Sequence, residues 1–98
     1  MSKDTQRFEW DPAKAEGNLR KHGVSFEAAT LVFEDRIALE RLDTRIDYGE
    51  DRFIVTGSAA VALLTVVYVE RGDRIRIISA RRATRRERQD YNSGQPDS

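Results

Sequence analysis

The feature that most limits the fold is an apolar run from Val61 to Val69, broken only by Thr65. It is far shorter than the roughly 20 residues a membrane span needs, and its length suits a strand. A strand apolar on both sides belongs at the centre of a sheet that is covered on both faces. Strand Val61 to Glu70 is followed by Arg71-Gly72-Asp73, a tight turn, and Arg74 to Ala80 returns as its hairpin partner. Upstream, Arg52 to Gly57 carries Phe53, Ile54, Val55 and Thr56, residue types that favour strands. Ser58-Ala59-Ala60 reads as the turn between them. Ile37 to Asp43 alternates loosely and reads as a further strand, and Thr44 to Asp51 is a polar loop holding Gly49.

The first third of the chain reads as one short strand and two helices. Phe8 and Trp10 alternate with polar residues. Asp11-Pro12 then starts a helix, because Asp caps and Pro suits the first helical position. That helix runs to Lys21 with Ala15, Leu19 and His22 on one stripe, and Gly23 stops it. Ser25 opens a second helix whose apolar face is Ala28, Ala29, Leu31, Val32 and Phe33. At the other end, Thr84-Arg85-Arg86-Glu87 fits a capping box for a last helix to about Tyr91. The expectation is an α+β domain over residues 1–91, with two N-terminal helices on one face of an antiparallel sheet and a C-terminal helix. Residues 92–98 are expected to be a disordered tail.

Other classes of function find little support. The 98 residues fit one small domain. There is no cysteine, so disulfides and thiolate metal sites are excluded. A lone histidine with scattered carboxylates makes no metal-ligand pattern, and no Gly-rich phosphate loop or nucleophile elbow is present. No cofactor is expected. The opening residues Met1 to Trp10 are polar and lack a signal peptide's apolar core. A cytoplasmic location without membrane association is the expectation.

Formal charge is zero, with 17 basic and 17 acidic residues, but it is unevenly placed. Arg71, Arg74, Arg76, Arg81, Arg82, Arg85, Arg86 and Arg88 crowd the last third, where only Asp73 and Glu87 oppose them up to Arg88. Carboxylates collect upstream at Glu34-Asp35, Glu40, Asp43, Asp47 and Glu50-Asp51. Such a dipolar surface steers a polyanion to one side. Arginine forks match phosphate geometry and stack on bases, which suits RNA. Equally, the same arginines suit a solvated face with weak surface ion pairs.

Strict alternation in the last strand puts Ile75, Ile77, Ser79 and Arg81 on one side and Arg74, Arg76, Ile78, Ala80 and Arg82 on the other. Arg74, Arg76 and Arg82 then line an open sheet face able to track phosphates. Glu87 and Tyr91 share one face of the last helix, as acid–base groups or as part of an internal network. His22 is a possible general base, or simply a cationic partner for a helix C-terminus.

Three segments together carry a resemblance: Phe8-Glu9-Trp10-Asp11-Pro12-x-Lys14; Asn18-Leu19-x-Lys21-His22-Gly23-Val24-Ser25-Phe26-Glu27-Ala28-Ala29; and Ile75 to Ala83, followed by Glu87 and Tyr91. They resemble the BrnT toxins of bacterial type II toxin–antitoxin systems. The resemblance implies a fold like that of the RelE ribonuclease toxins, and RNA cleavage that arrests growth. It also implies neutralisation by a BrnA-type ribbon-helix-helix antitoxin, through which the complex reaches its operator DNA and represses its operon. A heterotetramer of two toxins and two antitoxins is the implied assembly. On this reading Arg52, Arg76 and Arg81 surround the scissile phosphate, and Arg74, Arg82 and Arg85 bind RNA nearby. Acid–base work falls to Glu87, Tyr91 or His22, without a metal. The competing expectation is a non-catalytic or degenerate module that binds RNA or antitoxin and acts as a co-repressor.

Overall fold

The computed structural model describes residues 7–45, 47–60 and 62–94. Its elements are β1 (Phe8–Glu9), α1 (Pro12–His22), α2 (Phe26–Thr30), a 3₁₀ turn (Leu31–Glu34), β2 (Leu39–Leu42), β3 (Phe53–Ala59), β4 (Ala62–Arg71), β5 (Arg74–Arg82) and α3 (Arg85–Ser93). The expected α+β class is therefore observed. The five strands form one sheet in the order β1-β5-β4-β3-β2. As the apolar run implied, β4 is central. Val61, the expected start of that strand, lies outside the described residues, as do Ile46 of the expected loop and the tail beyond Gly94.

The sheet is not wholly antiparallel as expected. β1 runs parallel to β5, pairing Phe8 with Ile75 and Glu9 with Arg76. Asp11 caps α1 directly after this strand, and α1 packs on β5, so the chain's entry into α1 fixes the strand's direction. The turn expected at Ser58-Ala59-Ala60 is also later and tighter. Ala59 pairs with Ala62, and the reversal falls at Ala60, whose φ is 67°. Two-residue hairpins need a positive φ to match the twist of their strands.

Helix ends follow the local chemistry. The Asp11 carboxylate accepts from the Ala13 N–H at 2.9 Å, and Gly23 closes α1 at φ 71°. Ser25 Oγ accepts from the Ala28 N–H at 3.0 Å. The Thr84–Glu87 capping box forms in full, and α3 continues two residues beyond Tyr91, to Ser93.

Both N-terminal helices cover one sheet face, where Val24, Phe26, Ala29 and Val32 meet Val55, Leu64, Val66, Tyr68, Ile77 and Ala80. Phe26 is 1% exposed, with Trp10 edge-on to it at 5.8 Å, and its truncation to Ala costs about 3–5 kcal/mol. The stripe expected on α1 is a correction. Leu19 is half exposed and His22 is exposed, whereas Asn18 is buried. Asn18 Nδ2 donates to the carbonyls of Val24 (2.9 Å) and Ala80 (2.8 Å), and its Oδ1 accepts from the Ala80 N–H at 3.1 Å. β1 covers the edge of β5 only at Ile75 and Arg76. Asn18 thus supplies to Ala80 the partners that a neighbouring strand would otherwise supply.

Candidate functional site

The second sheet face carries α3, and the site forms between them. Residues opposite each other in an antiparallel pair share a face. Arg81 lies opposite Thr65, and Thr65 opposite Thr56. Both threonines are buried, and their hydroxyls meet at 2.8 Å. The Thr65 hydroxyl also donates to Glu87 Oε1 at 2.8 Å. Glu87 reaches this point because the capping box fixes it in the first turn of α3, where its Oε1 accepts from the Thr84 N–H at 2.8 Å.

Arg81 completes the cluster. Its Nη1 donates to Glu87 Oε1 at 2.8 Å and its Nη2 to Oε2 at 3.0 Å, while Nη1 also reaches the Arg82 carbonyl at 3.2 Å. Three of the five guanidinium donors are thereby engaged, and the side chain is 39% exposed. The others are left for an incoming group. Arg41 of β2 stands beside it, Nη2 4.0 Å from Glu87 Oε2 and 41% exposed. Burial alone would raise the Glu87 carboxyl, but the Arg81 guanidinium, the Thr84 N–H and the Thr65 hydroxyl outweigh it and hold it at about 2. Glu87 is thus a fixed anion that orients Arg81 and faces Arg41 across 4.0 Å, and a weak base.

The far end of α3 is tied as well. Tyr91 donates its hydroxyl to Asp35 Oδ2 at 2.5 Å. Asp35 also accepts from the Ser58 N–H at 2.7 Å and the Ile37 N–H at 3.1 Å. Pairing between β2 and β3 ends at Leu39 and Thr56, so Asp35 caps the strand edge that β2 leaves open. The hydrogen bond to Asp35, reinforced by burial, pushes the Tyr91 phenol up to about 12.

A β-bulge corrects the expected phase of β5. Tyr68 pairs with Ile77, but Val67 pairs with Ser79, so Ile78 is an extra residue. Beyond it every side chain changes face. Arg81 therefore shares a face with Arg76, Arg74 and Ser79, not with Ile75 and Ile77. Arg82 turns to the helix side, where it lines a groove with Leu19, Val24, Ala28, Ala59 and Leu64.

The other expected residues are spread around this centre. Arg76 donates from Nη1 to Glu9 Oε2 at 3.1 Å, at the β1 edge. The Arg52 guanidinium lies 3.9 Å from the Tyr48 ring centroid. Its Nε is 3.7 Å from Glu50 and makes no hydrogen bond. Arg74 and Arg85 are exposed at the starts of β5 and α3, and His22 ends α1. The structure brings Arg81 and Glu87 together and places Arg52, Arg76, Arg82 and His22 elsewhere. Arg41, Thr56, Thr65 and Asp35 were missed. No local pattern marks them, because each acts through a partner distant in sequence. Among the described residues, no group of three or more His, Cys, Asp or Glu is placed to hold a metal ion. No helix there is long and apolar enough to cross a membrane.

A family model described as "Ribonuclease toxin, BrnT, of type II toxin-antitoxin system" matches residues 10–87. The chain belongs to this family. The matched span runs from Trp10, packed on Phe26, to Glu87 itself, and so includes Arg41, Thr65 and Arg81. The arginine–carboxylate cluster at the junction of β5 and α3 of this chain thus lies within the matched span. No curated protein matches the chain.

Proposed function

We propose that this chain is an endoribonuclease toxin that cuts RNA without a metal, with Arg81 and Arg41 at the scissile phosphate. The observation that carries this reading is the two-point Arg81–Glu87 contact, braced by Thr65. It holds a half-exposed guanidinium in one orientation with donors to spare. Preorganised donors of this kind stabilise charge that develops in a transition state.

In the reaction, the ribose 2′-oxygen attacks the adjacent phosphorus. A new P–O bond forms, the bond to the 5′-oxygen breaks, and a 2′,3′-cyclic phosphate results. Arg81 and Arg41 neutralise the negative charge on the non-bridging oxygens. Glu87 is a positioning residue, and Tyr91 fixes α3. Water takes the 2′-proton and returns one to the 5′-oxygen, because Glu87 and Tyr91 are both already bonded. The in vivo partner on this reading is a BrnA-type antitoxin, and the complex represses its own operon. Two copies of each chain form the assembly.

One observation favours a second reading. Both acid–base candidates on α3 are tied into the fold, Glu87 far below neutrality and Tyr91 far above it. A module that binds RNA or antitoxin without cutting needs no more than this. Purified protein incubated with single-stranded RNA in EDTA separates the two. Products ending in cyclic phosphate, lost in Arg81→Gln, support the ribonuclease. Intact RNA that still binds the folded protein supports the module.

A further inference from the structure

The bulge at Ile78 leaves arginines on the second face in two groups, not one. Arg41 and Arg81 converge on Glu87. Arg76 lies opposite Val69, and Arg52, one residue before Phe53, is level with them because Phe53 pairs with Tyr68. Thr65, opposite Arg81, and Val69 are two face-repeats apart on β4. At about 6.7 Å per repeat, Arg81 and Arg76 are roughly 13 Å apart along the strands, with Arg41, opposite Ile54 and so level with Val67, between them. One phosphate does not bridge that distance while Arg81 stays on Glu87 and Arg76 on Glu9.

We infer that Arg52 and Arg76 form a second phosphate subsite, for the backbone of a single-stranded RNA lying along the strands. The inference rests on the RNA-binding part of the proposed function and goes beyond it. Arg52 directly precedes β3 and Arg76 lies on β5, on either side of β4, so they flank a strip about 10 Å wide. Both side chains are partly open, at 25% and 31% exposure. The Arg52 Nε is itself buried, makes no hydrogen bond and stands 3.7 Å from Glu50, so the phosphate meets the open end of the guanidinium, which lies over the Tyr48 ring. Arg76 spends one nitrogen on Glu9, leaving further donors for a phosphate oxygen. Two such contacts fix the register of the strand on the protein and carry no base information. They place a neighbouring phosphate so that the scissile one meets Arg81.

Binding of fully 2′-O-methylated, uncleavable single-stranded RNAs of increasing length tests this. Affinity of the wild type rises in a step once the RNA is longer than a dinucleotide and spans both groups. In Arg52→Gln/Arg76→Gln the step is lost, leaving long RNA roughly ten-fold weaker, and the salt slope falls by about 0.7, the value for one phosphate of a single strand. Arg20→Gln, on α1, keeps the step, and circular dichroism verifies that each variant is folded. An unchanged step in the double variant overturns the subsite while leaving cleavage at Arg81 standing. Equal loss in Arg20→Gln also overturns it. Failure of the wild type to bind any of these RNAs overturns both the subsite and the ribonuclease reading.

Discussion

The Arg81 guanidinium meets the Glu87 carboxylate through two hydrogen bonds, at 2.8 and 3.0 Å, across the junction of β5 and α3. The Thr65 hydroxyl and the Thr84 N–H hold the same carboxylate from behind. A planar fork so fixed points its remaining donors in one direction, which a lysine cannot reproduce.

Arg81→Lys therefore keeps the charge but loses the orientation. Its cleavage rate on a short single-stranded RNA falls about 10²–10³-fold, the loss typical of one preorganised donor. Single-turnover kinetics measures it, with circular dichroism as the check on folding. Wild-type rates in the lysine variant would mean that charge alone suffices.

Glu87 links this geometry to acid stability. Its carboxyl is lowered from 4.5 to about 2 in the fold. A depressed carboxyl stabilises the native state above its unfolded value and loses that contribution as pH falls through the folded one. The stability gap between wild type and Glu87→Gln should be constant above about pH 5 and shrink between about 4.5 and 2. Urea unfolding at several pH values gives the gap directly. For the same reason, cleavage by the wild type should show no break attributable to Glu87 between pH 4 and 7.

Tyr91→Phe removes the hydroxyl donated to Asp35 but leaves the two backbone donors to that carboxylate. The expected cost is about 2 kcal/mol, typical of a hydrogen bond to a charged group. Cleavage should persist on this account. Hydrogen exchange should rise in the last turn of α3 before it rises in β4. Abolished cleavage in a stably folded Tyr91→Phe would make the phenol a catalytic residue.

Asn18→Ala leaves the Ala80 N–H and C=O without their side-chain partners in a buried setting. About 3 kcal/mol of destabilisation is expected, since each stranded backbone group bears a desolvation penalty. Asn18→Asp restores an acceptor but no donor, and should recover part of the loss at most. Thermal unfolding of the pair measures both.

Much of the fold is written in neighbouring residues. Asp11-Pro12, Ser25 and Thr84 with Glu87 each announce a helix within four positions, and all three caps form. The apolar run around Val66 announces the central strand. The site was less legible because its contacts are long-range. Asn18 reaches Ala80 across 62 positions and Tyr91 reaches Asp35 across 56. The extra residue at Ile78 exists only in the pairing of β4 with β5, so alternation alone put Arg81 and Arg82 on the wrong faces. Arg41 sits in a short, mostly exposed edge strand whose composition points to no role. Glu87 was legible as a cap and as a member of an internal Glu–Arg network that pins α3, though not which arginine it holds.

The most direct test of the central claim is tightly induced expression of this chain alone beside Arg81→Gln, with growth and total RNA followed in both. Growth arrest with RNA cleavage is expected in the wild type, and normal growth with intact RNA in the variant at equal soluble protein. Unimpaired growth with intact RNA in the wild type, or arrest and cleavage persisting in the variant, would contradict it.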